Sequence, residues 1–239
     1  MKKISVNTRY LIVPIMSLAT VAGIIAGGIY VWTGVILFGA NTLIDILTRD
    51  IHHRADFDSD GQSYGIKKFQ YGVMYFMLPV FISFQLALAW QIHGYVSETS
   101  GALSLTHLIG ATLSAALWAG LGIIYGHELS HNRKEGFFIS RLIMALSGAS
   151  HFTYAHVYNH HLDLGHEDDP ATAPRGRNVY AHAWHSHMGQ SNYSYDMESR
   201  KAKANQKSFL NSDNRWLIGY LFSLPTIVLF VWAGGLWGV

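Results

Sequence analysis

Five stretches of this chain run almost without charge for about the twenty residues that a helix needs to cross a bilayer core. They lie at roughly 10–28, 29–48, 71–92, 103–125 and 216–237. The first two are nearly continuous, with Gly27-Gly28 at their junction, and read as a tight helical hairpin. The pattern predicts an all-α, polytopic transmembrane helical protein. It forms a single domain over 1–239, with one long polar region, 126–215, between the last two spans. Composition agrees: 50% of residues are hydrophobic and 13% charged, against about 25% charged in soluble domains.

Lys and Arg placement sets the topology, because cytoplasmic loops are enriched in both. All 17 basic residues fall in 1–9, 49–70 and 126–215; the hairpin turn and the 93–102 loop hold none. The N-terminus and the 126–215 region are therefore expected on the cytoplasmic side, in contact with the lipid bilayer. A net charge of +2 and the lack of a basic, aromatic-interleaved stripe exclude a nucleic-acid partner. The chain has no cysteine, which rules out disulfides, thiolate zinc sites and an iron–sulfur cluster of its own.

Histidine is the residue used in excess. Ten of the 14 histidines lie between His127 and His187. The segment His127-Glu128-Leu129-Ser130-His131 has the H-E-x-x-H spacing, which places two rings on one helix face one turn apart. Alone it reads as a zinc metalloprotease helix with a glutamate base. A second cluster follows, His156, His160 and His161, spaced H-x-x-x-H-H. On an α-helix His156 and His160 share a face and His161 sits about 100° around, an arrangement that can serve two metals. A zinc protease needs one further ligand, not a second set of three. Glu128 and Asp169, in "EDDPATA", are candidates to orient ligand rings. The bland alternatives are a surface glutamate and an acidic turn before Pro170. His182, His185 and His187, with His151 and His166, are further candidates of weaker pattern. His107 reads as a partner for a neighbouring helix, and His52 and His53 as solvated.

"HELSH", "HVYNHH" and "EDDPATA" together resemble the integral-membrane alkane hydroxylases and xylene monooxygenases, within the wider membrane fatty-acid desaturase-like di-iron group. The matching residues are His127, Glu128, Leu129, His131, His156, His160, His161, Asp168, Asp169, Pro170 and Ala171. The resemblance implies two non-haem iron ions held by His127, His131, His156, His160 and His161. It implies hydroxylation of the terminal methyl group of an n-alkane with O₂, the apolar substrate arriving from the bilayer. Location in a bacterial inner membrane follows. With no cysteine and no G-x-G-x-x-G, electrons must come from a separate protein, rubredoxin or a ferredoxin-type reductase in the family. The family also carries an H-Y-G segment and a third histidine box after the fifth span. The chain ends at Val239, so a C-terminally incomplete domain, inactive alone, is expected. Rival readings are an aryl-methyl monooxygenase or acyl desaturase with the same boxes, an intramembrane zinc protease, and an inactive metal-binding protein.

Overall fold

A computed structural model describes residues 10–48, 64–97, 104–132 and 134–237. His52, His53, Arg133 and the basic residues of 1–9 and 49–54 lie outside them. All regular structure among the described residues is helical: α1 (Ile12–Ala26), α2 (Thr33–Thr48), α3 (Tyr64–Val96), α4 (Leu105–Ser130), α5 (Glu135–Leu146), α6 (Phe152–Ala155), α7 (His161–Asp163), α8 (Val179–Ala204), α9 (Arg215–Leu221) and α10 (Leu224–Gly234). A 3₁₀ segment, Gly28–Trp32, precedes α2, and a π-helical turn, His156–His160, joins α6 to α7.

Among the described residues, four helical stretches are long and apolar enough to cross a membrane: Gly28–Thr48, Lys68–Val96, Leu105–Ser130 and Arg215–Gly234. The stretch expected first, α1, has 15 helical residues, about 22 Å at 1.5 Å per residue, against a core of about 30 Å. The packing divides the chain into two compact units, 1–122 with 227–239, and 123–226.

In the first unit, the break between α1 and α2 turns on Gly27 and Gly28, both at positive φ (71° and 57°), where a side chain is disfavoured. Breaking a helix frees backbone groups that lipid cannot satisfy, and neighbouring helices supply the partners. Gln91 of α3 donates its amide to the Ile24 carbonyl. Ser114 of α4 donates to the Val31 carbonyl at 2.6 Å and accepts from the Val35 N–H at 3.2 Å. Trp118 of α4 donates its indole N–H to the Gly34 carbonyl at 2.9 Å. Gly34 lets these backbones meet: a Cβ there would lie 2.6 Å from both Ser114 Cβ and Thr20 Cγ2. Such small-residue contacts replace the hydrophobic driving force that helices lack inside lipid. His107 is tied locally, its Nδ1 2.7 Å from Ser104 Oγ at the start of α4.

The second unit carries both histidine clusters. Ser140 of α5 donates to the Gly126 carbonyl at 2.6 Å and sits 3.1 Å from the Thr153 hydroxyl of α6. One buried hydroxyl thus links the last turns of α4 to the segment bearing the second cluster. Ile143 and Met144 of α5 are fully enclosed and close on Gly126, where a Cβ would meet Met144 Cε at 2.8 Å. Asn178 starts α8 by accepting from the Ala181 N–H at 2.9 Å, as N-cap residues do. Gly189 of α8 then abuts Pro170 at 2.4 Å from an added Cβ, bracing the turn that holds Asp169.

Candidate metal centre

α4 continues to Ser130, so His127 lies in its last turn and His131 one residue past its end. The i,i+4 spacing puts their Nε2 atoms 3.3 Å apart. The second cluster is wound differently from the α-helix that its spacing suggests. In a π turn the repeat widens from i+4 toward i+5, which swings the fifth residue on round to the side of the first. His161 thereby joins His156, Nε2 to Nε2 at 3.0 Å. His160 stacks on His156, ring centroids 5.3 Å apart and planes 26° from parallel.

The two clusters converge on His156. Its Nε2 lies 2.8 Å from His127 Nε2 and 3.4 Å from His131 Nε2. Hydrogen bonding cannot account for this set. A neutral imidazole carries one N–H, so nitrogens aimed at one another in a triangle cannot each have a donor. Metal ligation can: ligand nitrogens about 2.1 Å from one ion are separated by about 3.0 Å at right angles and about 3.4 Å at the tetrahedral angle. The observed 2.8–3.4 Å falls on that spacing. The ligand atoms of His127, His131 and His156 all lie within 4.8 Å of one another. Phe152 stacks on the His156 ring at 5.1 Å and 8° and meets His127 edge-on at 6.0 Å. Burial, then the neighbouring His127, His161 and His131, hold the His156 pKa down to about 3, keeping it in the neutral form that binds metal.

His160 Nδ1 is 2.8 Å from Asp169 Oδ2. Asp169 is buried and also accepts from the Ala171 N–H at 2.9 Å and the Thr172 hydroxyl at 2.5 Å. Burial raises its pKa, but the hydrogen bonds from Thr172, Ala171 and His160 outweigh this and leave it lowered. An ionised Asp169 accepts the Nδ1–H proton of His160 and leaves the Nε2 lone pair free. This is the carboxylate–histidine arrangement found behind metal ligands. Asp169→Asn removes the charge and is expected to weaken metal binding at least about tenfold, measured by competition with a chromophoric chelator. Glu128 is exposed, and among the described residues no hydrogen bond joins it to a ligand ring.

The remaining histidines separate by position. His166 is exposed, beside Asp168 at 3.2 Å. His185 and His187 are exposed and His182 is half-buried; none belongs to the converging set. His151 is enclosed, with its ring 4.6 Å from that of His187. Burial, and secondarily His187, push its pKa from 6.5 to about 4. Below pH 6.5 the unfolded chain takes up a proton that the folded chain refuses. The His151 contribution to stability is therefore expected to fall by up to about 1.4 kcal/mol per pH unit and to level off below about pH 4. Thermal unfolding across pH 7.5 to 4 measures it as the part of the slope that His151→Gln removes.

Helices long and apolar enough to cross a membrane stand together with imidazoles, and no thiolate, whose nitrogens could hold a metal ion. The fatty acid desaturase family model matches residues 102–239, taking in α4, both histidine clusters and α10. The chain belongs to the fatty acid desaturase family. It is 28% identical over 145 residues to an alkane 1-monooxygenase of Pseudomonas putida, covering 60% of this chain and 34% of that one. With alkane 1-monooxygenase 1 of Alcanivorax borkumensis it shares 26% identity over 209 residues, 84% of this chain and 48% of the relative. The hydroxylase component of the Pseudomonas putida xylene/toluene monooxygenase is 26% identical over 230 residues, 93% of this chain and 58% of its own. The aligned part of the chain thus spans 34%, 48% and 58% of the length of these relatives.

Arg141 and Arg215, beside the histidines, went unread in the sequence. A single arginine inside the apolar helix "FFISRLIMAL" was the available signal.

Proposed function

We propose that the chain is the metal-binding portion of a membrane-bound, non-haem di-iron monooxygenase that hydroxylates the terminal methyl group of n-alkanes. The observation carrying this reading is the convergence of the Nε2 atoms of His127, His131 and His156 at 2.8–3.4 Å, with His161 Nε2 3.0 Å from that of His156. The alkane 1-monooxygenases among its relatives supply the reaction class. His127, His131 and His156 would hold one iron. His160, oriented by Asp169, would serve a second, with His161 beside His156. Iron bound there would supply the binding and reductive activation of O₂, placing one oxygen atom in a C–H bond and releasing the other as water. The protein's part is to keep the rings neutral, fix the His160 tautomer through Asp169, and carry the site at the end of a helix long enough to cross the membrane. Two electrons and two protons per turnover would come through a separate redox protein, with rubredoxin or a ferredoxin-type reductase as the candidates. The apolar substrate would enter from the bilayer of a bacterial inner membrane, with the histidines on its cytoplasmic side.

An aryl-methyl substrate is the second reading, favoured by the 93% coverage of this chain in the alignment with the xylene/toluene relative. Membranes containing the protein, its redox partner and ¹⁸O₂ should convert n-octane to labelled 1-octanol. Labelled methylbenzyl alcohol from p-xylene, with octane untouched, selects the second reading. An unsaturated product without label, or proteolysis lost in Glu128→Gln, would overturn both.

A further inference from the structure

A cavity of about 620 Å³ opens beside the histidine cluster, and His131 and His161 form part of its wall. Its other charged walls are Lys134, Arg141 and Arg215, and among the described residues no carboxylate lines it. Among the described residues none of these three cations forms an ion pair. The nearby buried carboxylate, Glu198, is engaged by Lys201 at 3.2 Å. The two guanidiniums are held by aromatic faces instead. Arg141 sits 5.2 Å from the Tyr154 ring centre and 5.1 Å from that of Phe222, and Arg215 sits 5.5 Å from Tyr154. Stacking fixes a guanidinium plane while leaving its N–H edge free; on Arg215 the Tyr158 side chain takes up part of that edge.

The donors at this place are not used up. Arg141 Nη2 reaches only the Arg215 carbonyl, at 3.4 Å. Arg141 Nε and Asn132 Nδ2 are both shielded from solvent and lack a hydrogen-bond partner, and both residues line the cavity. A shielded donor left unpaired is costly, and a bound acceptor removes that cost. Arg141 and Arg215 also repel each other, a repulsion that the buried Glu198 carboxylate offsets in part. Lys134 adds a third cation from a backbone at φ 55°, a region that costs a non-glycine residue stability and clusters at ligand sites.

We infer that this cavity is an oxyanion site, in which Arg141, Arg215, Lys134 and Asn132 receive a carboxylate or phosphate group beside the histidine cluster. A guanidinium fork and an amide N–H₂ match the paired oxygens of such a group. Phe137, Val157 and Tyr158 supply an apolar wall, so the anion can be the head of an amphiphile as well as a free ion. The assignment rests on the cavity alone and does not depend on the hydroxylase reading.

The test is calorimetric titration of the purified, iron-free full chain in a non-ionic detergent, with sodium octanoate, inorganic phosphate and uncharged 1-octanol. Saturable octanoate binding is expected, displaced by phosphate and weakened about tenfold or more in Arg141→Gln and in Arg215→Gln, with octanol uptake unaltered. Arg141→Lys should retain part of the affinity. Phosphate binding with the same arginine dependence, but none of octanoate, keeps the site and assigns it to a free anion. Should either glutamine variant lose its helical circular dichroism, Lys134→Gln at the exposed start of α5 reads the same site. No saturable binding of either anion, or binding indifferent to all these substitutions, overturns the inference.

Discussion

His156→Ala is expected to strip bound iron from the protein almost completely, by well over about tenfold. Loss of a residue that merely orients a ligand already costs about 10–100-fold, and His156 is a proposed ligand. No other ring holds its position: its Nε2 lies within 3.4 Å of three other Nε2 atoms, one from each of His127, His131 and His161. Removing it separates the α4 pair from the second cluster. The control is His166→Ala, which alters an exposed ring beside Asp168 and should leave iron content unchanged. Iron per chain by elemental analysis, after loading under reducing conditions, decides the matter. Circular dichroism checks that the helices persist. Unchanged iron in a folded His156→Ala protein would sink the site assignment.

Gly122→Ala carries the second large effect, and it acts on the other unit. A Cβ on Gly122 would fall 1.1 Å from Phe81 Cζ, with Cε1 and Cε2 at 1.9 and 2.3 Å. The Phe81 ring of α3 therefore occupies the volume that any side chain on this turn of α4 would need. Phe81 is 2% exposed, so the ring has little free space to swing into. Overpacking of this kind costs about 1–3 kcal/mol and sometimes more, seen as a lower Tm in detergent. Phe81→Leu alone opens a void and is also destabilising. Combined, the two changes relieve each other, since the shorter side chain vacates the place the methyl group takes. The double variant should be more stable than the sum of the single losses implies, the coupling expected of residues in contact. Additive losses would show that α3 and α4 do not meet in this way.

The parts of the molecule legible in one dimension were those set by composition along a single segment. Apolar runs of bilayer length predicted helices, because lipid leaves the backbone few other ways to satisfy its hydrogen bonds. The spacings of "HELSH" and "HVYNHH" marked His127, His131, His156, His160 and His161 as chelating candidates, because a fixed number of residues per turn puts such rings on one face. Gly27-Gly28 announced the hairpin break, since positive φ there excludes most side chains.

Only the tertiary structure decided which rings meet. An α-helical reading pairs His156 with His160, whereas the π turn over His156–His160 brings in His161 and leaves His160 to Asp169. Local winding depends on what a turn packs against, and Phe152, Asn159 and the Asp169 turn lie outside the repeat that a spacing records. The partners that quiet the broken backbone, Gln91, Ser114 and Trp118, come from helices far along the chain. So do Arg141 and Arg215, 74 residues apart and gathered on one tyrosine. A sequence records periodicity within an element; which faces of distant elements meet is settled by volume and by the need to pair buried polar groups, and those act only once the chain has folded.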